Sequence, residues 1–174
     1  MRVRLLAIFV LFISSSLPAT AQGGLSFSGL SSLLRSAFSS ENVIYKSTPS
    51  QVSKPSDVVY EKLSSFENMY DIASQYVSQY TATEDECSFK VKGITIRLRI
   101  ARRIAGELVE VTSVSGSPFR FTSRAYITST SRKESTITTE VEATLNSALK
   151  MVFDAKLRSA VEYVNKELAN QLSK

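Results

Sequence analysis

Three groups of side chains have types and spacings that could do chemistry. Glu84, Asp85 and Glu86 form a carboxylate run, and a stretch rich in arginine, ITIRLRIARRIAGELVEV, spans residues 94–111. Scattered nucleophiles complete the set, chiefly the single cysteine, Cys87, and the tyrosines Tyr45 and Tyr76. A carboxylate pair facing one site would suit general acid–base work, but three consecutive acids cannot all face one site, and a solvated turn accounts for them. The chain has no histidine, which excludes imidazole bases and imidazole metal ligands. It also leaves Cys87 without a partner to activate it, so Cys87 reads as a small buried hydrophobe in a strand. No serine nucleophile elbow, glycine-rich phosphate loop or metal-spaced cluster is present. No catalytic residue, metal or cofactor is therefore assigned, and Tyr45 and Tyr76 remain as groups that could act inside a pocket.

The arginines are placed by their parity. Ile94, Ile96, Leu98 and Ile100 alternate with Thr95, Arg97, Arg99 and Ala101, the period-two signature of a strand with one buried face. Arg97, Arg99, Arg120 and Arg124 then share an outer face with Glu110, Glu140 and Glu142 on neighbouring strands. Opposite charges across strands solvate a sheet. A nucleic-acid surface would show unbalanced cations interleaved with aromatics, and only Tyr126 interleaves here. The overall balance, 21 Lys plus Arg against 16 Asp plus Glu, is only mildly basic. No nucleic-acid partner is expected.

Residues 1–22, MRVRLLAIFVLFISSSLPATAQ, have the form of an export signal: Arg2 and Arg4, then an apolar Leu5 to Ile13 core, then Ala19-Thr20-Ala21. The expected product is a periplasmic or secreted chain beginning near Gln22. A Ser/Gly-rich leader covers 23–41, and a single domain covers 42–174. Within it, Val43 to Ser53 reads as a strand broken at Pro49. A helix starts around Pro55 and Asp57, a second short helix runs from about Phe66 to Val77, and six antiparallel strands follow as a meander. The chain closes on a long helix capped by Asn146 or Ser147. Its apolar stripe is Leu149, Val152, Phe153, Leu157, Ala160, Val161, Val164, Leu168 and Leu172. A rod of that length needs a broad, curved sheet to bury one side.

Three stretches, KPSDVVYEKLSSFENMYDI, SGSPFRFTSRAYI and EATLNSALKMVFDAKLRSAVEYVNKEL, in this order of elements resemble the helix-grip fold of the START-like superfamily. That group, also called SRPBCC, includes polyketide cyclases and aromatases, lipid-transfer START domains and plant pathogenesis-related proteins. The resemblance covers about residues 43–173 and rests on signals of fold rather than of catalysis. It implies an α+β architecture in which a curved antiparallel sheet of about seven strands wraps the C-terminal helix. It further implies a cavity between the two that takes a nonpolar ligand. The catalytic cyclases' histidines have no counterpart here, and the export signal departs from the group's often cytoplasmic members.

On this arrangement the inward parity carries the pocket. Its expected lining is Phe89, Ile96, Leu98, Val111, Phe121, Ser123, Ala125 and Thr139 from the sheet, with Phe153 and Leu157 from the helix. Small residues such as Ser123 and Ala125 leave room, and an apolar cleft with a few polar groups is what a small-molecule site requires. The first functional reading is an exported, non-catalytic domain that binds a hydrophobic small molecule or lipid. The alternative is an interaction module with a filled core, touching a partner protein or membrane surface through the leader or the convex face.

Overall fold

The computed structural model describes residues 40–91, 94–115 and 120–174, with side chains except at 40, 91, 94, 146–149 and 151–153. The expected signal and most of the expected leader lie outside these residues, as does the expected side-chain placement of Phe153. Alternation of aliphatic and polar residues produces the strands, and short turns join them in sequence. They are β1 (Ser40–Lys46), β2 (Ser50–Val52), β3 (Ser78–Ala82), β4 (Glu86–Val91), β5 (Ile94–Ile104), β6 (Leu108–Ser113), β7 (Phe121–Ser129) and β8 (Ser135–Asn146). The helices are α1 (Ser56–Leu63), α2 (Tyr70–Ala73) and α3 (Ser147–Leu172). All strand pairs are antiparallel, in the spatial order β1-β8-β7-β6-β5-β4-β3, with β2 also paired to β8.

The sheet therefore has eight strands rather than about seven, because the first strand is split. Pro49 has no N–H to give a ladder, so pairing with β8 breaks after Lys46 and resumes at Ser50. Ser47 bridges the gap: its backbone N–H reaches the Thr139 carbonyl at 2.9 Å, and its hydroxyl accepts the Thr139 N–H at 2.9 Å. β1 starts at Ser40, ahead of Val43, with Lys150 on α3 paired to Glu41 at 2.7 Å.

The second helix is much shorter than its apolar spacing suggests. Phe66 is held by the neighbouring strands instead: its N–H donates to the Glu84 carbonyl at 3.1 Å, and its carbonyl accepts the Tyr80 hydroxyl at 2.8 Å. That leaves only Tyr70–Ala73 helical. The turn containing the carboxylate run thus does structural work. Asp85 pairs with Arg103 at 2.6 Å, and Arg103 Nε also donates to the Ser64 carbonyl after α1 at 2.8 Å.

Arg103 can reach α1 because β5 is bulged. Pairing shifts from Ile100↔Val111 to Arg102↔Glu110, and the extra residue, Ala101, reverses the parity beyond it. Arg97 and Arg99 stay on the exposed convex face, whereas Arg103 opposes buried Val109. Gly106 takes φ 72° in the turn that follows, a left-handed conformation that glycine adopts without strain. The β3 edge strand is also bulged, between Ser78 and Thr81, with Gln79 at φ 52°. An irregular edge is a poor template for pairing with another chain.

α3 lies along the concave face with 26 residues, about 40 Å at 1.5 Å per residue. Leu157, Ala160, Val161, Ala169 and Leu172 are buried beneath it. Asn165, one helical turn beyond Val161 on the same stripe, is fully buried as well.

Candidate functional site

The interior is divided. Near β1, Val43, Tyr45, Val141, Ala143, Leu145, Leu157 and Val161 pack together. Towards β3 to β6 a larger group forms around Phe89, Ile96, Leu98 and Val109, joined by Val59, Leu63 and Phe66. Between sheet, α2 and α3 an apolar cavity of about 170 Å³ remains. Among the described residues no charged side chain lies on its wall, which is made of aliphatic and aromatic groups with a few hydroxyls and one thiol.

Phe89, Ile96, Leu98, Val111, Phe121, Ser123, Ala125 and Thr139 all border this space. The pairings Val111↔Ser123, Val109↔Ala125 and Ala125↔Thr139 explain why they converge: they are cross-strand neighbours on one face. Leu157 does not border it. That residue sits one helical turn before Val161 and is absorbed into the β1 cluster, where it is 1% exposed. The helix contributes Val161, Val164 and Leu168 instead.

Tyr76, one of the two tyrosines considered for the pocket, borders it, but sequence reasoning missed the rest of the wall supplied by the short helices and β3: Leu63, Phe66, Met69, Ile72, Ala73 and Tyr80. Met69, Ile72, Ala73 and Tyr76 had the spacing of one apolar helix face, the available signal, but the direction in which α2 faces depends on how Phe66 is tethered. Tyr80 stacks on Phe89 at 6.4 Å between ring centres and meets Tyr70 edge-on at 5.8 Å. Tyr45, the other tyrosine considered, lies in the β1 cluster, and its hydroxyl donates to Asp154 at 3.1 Å.

The polar groups of the wall are poor bases. Burial pushes the Cys87 thiol from 9.0 up to about 12, and hydrogen bonding to Tyr80 and the Leu98 backbone offsets this only in part. Burial likewise raises Tyr80, with Cys87 adding to the effect, and burial together with Glu167 raises Tyr76. Thr139 is already committed, its hydroxyl donating to the Asn165 carbonyl oxygen at 2.9 Å.

The Cys87 shift has a measurable consequence. In the native protein the thiol stays protonated where the unfolded chain ionises, so its stabilising contribution is complete below pH 9 and is lost as pH rises towards 12. Between pH 8 and pH 10 this group should lower the unfolding free energy by about 1 kcal/mol. Urea titrations at both pH values check this, and Cys87→Val should remove that part of the decline. An unchanged pH slope in the variant would show that Cys87 is not the group responsible.

The whole arrangement, an antiparallel meander curled about a long C-terminal helix with two short helices closing one end, recurs in solved structures. Norcoclaurine synthase from Thalictrum flavum, in complex with dopamine and hydroxybenzaldehyde, superposes with a TM-score of 0.60 at 11% identity, covering 91% of this chain and 96% of that one. The chain has the helix-grip fold. A Staphylococcus aureus protein of unknown function matches this helix-grip domain at TM-score 0.59 and 10% identity, over 78% of this chain and 95% of that one. A START superfamily protein from Mycobacterium smegmatis matches it at 0.52 and 9% identity, over 74% and 98%. No protein-family model and no curated sequence matches the chain. At these identities the likeness establishes the architecture, and function has to be argued from the site.

Proposed function

We propose that this helix-grip domain is an exported, non-catalytic binding protein for a small hydrophobic molecule, held in the cavity between the sheet and α3. The observation that carries the proposal is the cavity itself: about 170 Å³ of apolar space that α3 leaves unfilled. Protein interiors normally close such gaps, and a dry cavity of roughly 150 Å³ accommodates benzene. The space suits one ring or a short stretch of acyl chain. The START superfamily and norcoclaurine synthase neighbours support this reading, the latter having been solved with two single-ring compounds. The absence of catalysis rests on the wall chemistry: among the described residues no charged group borders the cavity, and its thiol and tyrosines are shifted away from ionisation. Export rests on the pattern of residues 1–22. Among the described residues, exposed Ile44, Val58 and Tyr70 belong to three separate elements, and isolated surface hydrophobics of this kind are normal.

Two measurements test the proposal. A native mass spectrum of the full chain expressed with its own first 22 residues should show a protein beginning at Gln22, with added mass where a ligand is retained. Retention of Met1 on the extracytoplasmic protein would remove cleavage near Gln22 from the proposal, and recovery of the chain only in the cytoplasm would remove export. Toluene should raise the melting temperature of the wild type, and Ala125→Phe, which places a ring in the cavity, should weaken toluene binding at least about tenfold while the protein stays folded. If the concave face has no usable space, the same variant should instead overpack and lose about 1–3 kcal/mol of stability. A wild type that toluene leaves unshifted, together with such a destabilised variant, would end the ligand-binding reading.

A further inference from the structure

A ligand larger than one ring must extend beyond 170 Å³, and the structure provides a place for the remainder. Next to the cavity lies a cleft of about 540 Å³ bounded by α1, α2 and the end of α3. Ile72 borders both spaces. The division between them combines Ile72, packed against the apolar core of Val59, Leu63 and Leu172, with a small hydrogen-bonded cluster. Tyr76 borders the cavity and Gln171 borders the cleft. The Gln171 amide donates to the Tyr76 hydroxyl at 2.9 Å and to Glu167 at 2.9 Å, and the Tyr76 hydroxyl donates to Glu167 at 3.3 Å.

The two spaces differ in chemistry. Among the described residues the cavity wall carries no charge, whereas the cleft carries Glu61, Lys62, Asp71 and Lys174 with the amides Asn68, Gln75 and Gln171. Acids and bases are equal in number there, and Lys62 is already paired with Asp71 at 3.4 Å. Lys174 Nζ donates to the Gln171 side-chain oxygen Oε1 at 2.8 Å. At the junction stands Glu167, whose two hydrogen bonds come from neutral donors, the Tyr76 hydroxyl and the Gln171 amide.

We propose that cavity and cleft form one site for a single-chain amphiphile with an uncharged, hydroxyl-bearing head, its apolar part in the cavity and its head in the cleft beyond Tyr76 and Gln171. This deepens the hydrophobic-ligand reading and rests on it. The Tyr76–Gln171–Glu167 cluster acts as a polar gate. A hydroxyl at the junction replaces the Tyr76 or Gln171 donor on Glu167, so the gate exchanges hydrogen bonds without leaving a group unpaired. A carboxylate in the same place would face Glu167 across a few ångströms of half-shielded space, where like charges repel.

Octanoate and 1-octanoylglycerol share one chain and differ in the head, so titrating both against the protein at pH 7.5 by NMR isolates this term, with toluene as a probe that has no head. The wild type is expected to bind 1-octanoylglycerol about tenfold more tightly than octanoate. Glu167→Gln should narrow that ratio to about two while leaving toluene affinity unchanged, because toluene never leaves the cavity. Amide shifts at Gln75 and Gln171 should respond to 1-octanoylglycerol and not to toluene. Toluene binding with equal affinity for the two amphiphiles, or a ratio unaltered by Glu167→Gln, would overturn the amphiphile site while leaving the cavity reading intact. Failure of all three probes to bind would overturn both.

Discussion

Asn165→Leu is expected to lower the unfolding free energy by about 3 kcal/mol, although leucine is close in size and more apolar. Asn165 is fully buried, and its amide holds three elements together. Its nitrogen donates to the Thr48 carbonyl at 2.9 Å, to the Ser50 hydroxyl at 2.8 Å and, at 3.3 Å, to the Ile137 carbonyl. Its oxygen accepts the Thr139 hydroxyl at 2.9 Å. Thr48 and Ser50 flank Pro49, where the first strand breaks and the β8 ladder cannot satisfy every backbone group. The side chain on α3 takes over from the ladder at that point. Leucine would leave the buried Thr139 hydroxyl without a partner away from water, at about 1–3 kcal/mol, and would also strip the Thr48 carbonyl of its part-buried partner. Chemical denaturation measures the loss. A double-mutant cycle with Thr139→Val should show coupling of at least about 0.5 kcal/mol, since that variant removes one stranded group in advance. A loss below about 1 kcal/mol would mean that water reaches this junction.

The second large effect is expected on the opposite face. Arg124 on β7 lies between Glu110 on β6 and Glu140 on β8 in register. Its guanidinium takes three carboxylates at once: Nε to Glu110 at 2.7 Å, one terminal nitrogen to Glu140 at 3.1 Å and the other to Glu142 at 3.0 Å. Hydrogen bonding to Glu110 leads the causes that raise its pKa. Arg124→Met should cost about 2–3 kcal/mol. That exceeds the usual value of an exposed pair, because the side chains are only 15–31% exposed and three acids would be left facing one another. Arg124→Lys should recover only part of the loss, since an ammonium cannot fork towards three partners. Urea unfolding of both variants checks the order, and 1 M salt should shrink the methionine variant's deficit by screening the acids. A deficit under about 0.5 kcal/mol would place this cluster among ordinary solvated pairs.

Much of this protein was determined by pattern alone. Period-two alternation identified the meander and sorted Ile96, Leu98, Phe121 and Ala125 from Arg97, Arg99 and Arg124, because a strand must send successive side chains to opposite faces. Helical periodicity marked α3, and its length implied a sheet wide enough to cover it. Pro49 announced the break between β1 and β2. These signals are local, written within a few residues of where they act.

What the tertiary structure alone decided depends on residues far apart in the chain. The bulge at Ala101 moves Arg103 to the concave side, where Ser64 and Asp85 hold it, and no local pattern marks a one-residue slip in register. Phe66, tied to Glu84 and Tyr80, cuts the second helix short and aims α2 at the cavity. Asn165 finds acceptors only because the broken first strand, more than a hundred residues earlier in the chain, lies against α3. Leu157 had the periodicity of a cavity residue but packs with β1, because periodicity gives the face of a helix and not which part of a divided interior that face meets. Whether sheet and helix close on each other or leave about 170 Å³ between them is set by the sum of side-chain volumes from nine elements, a quantity that exists only once they are brought together.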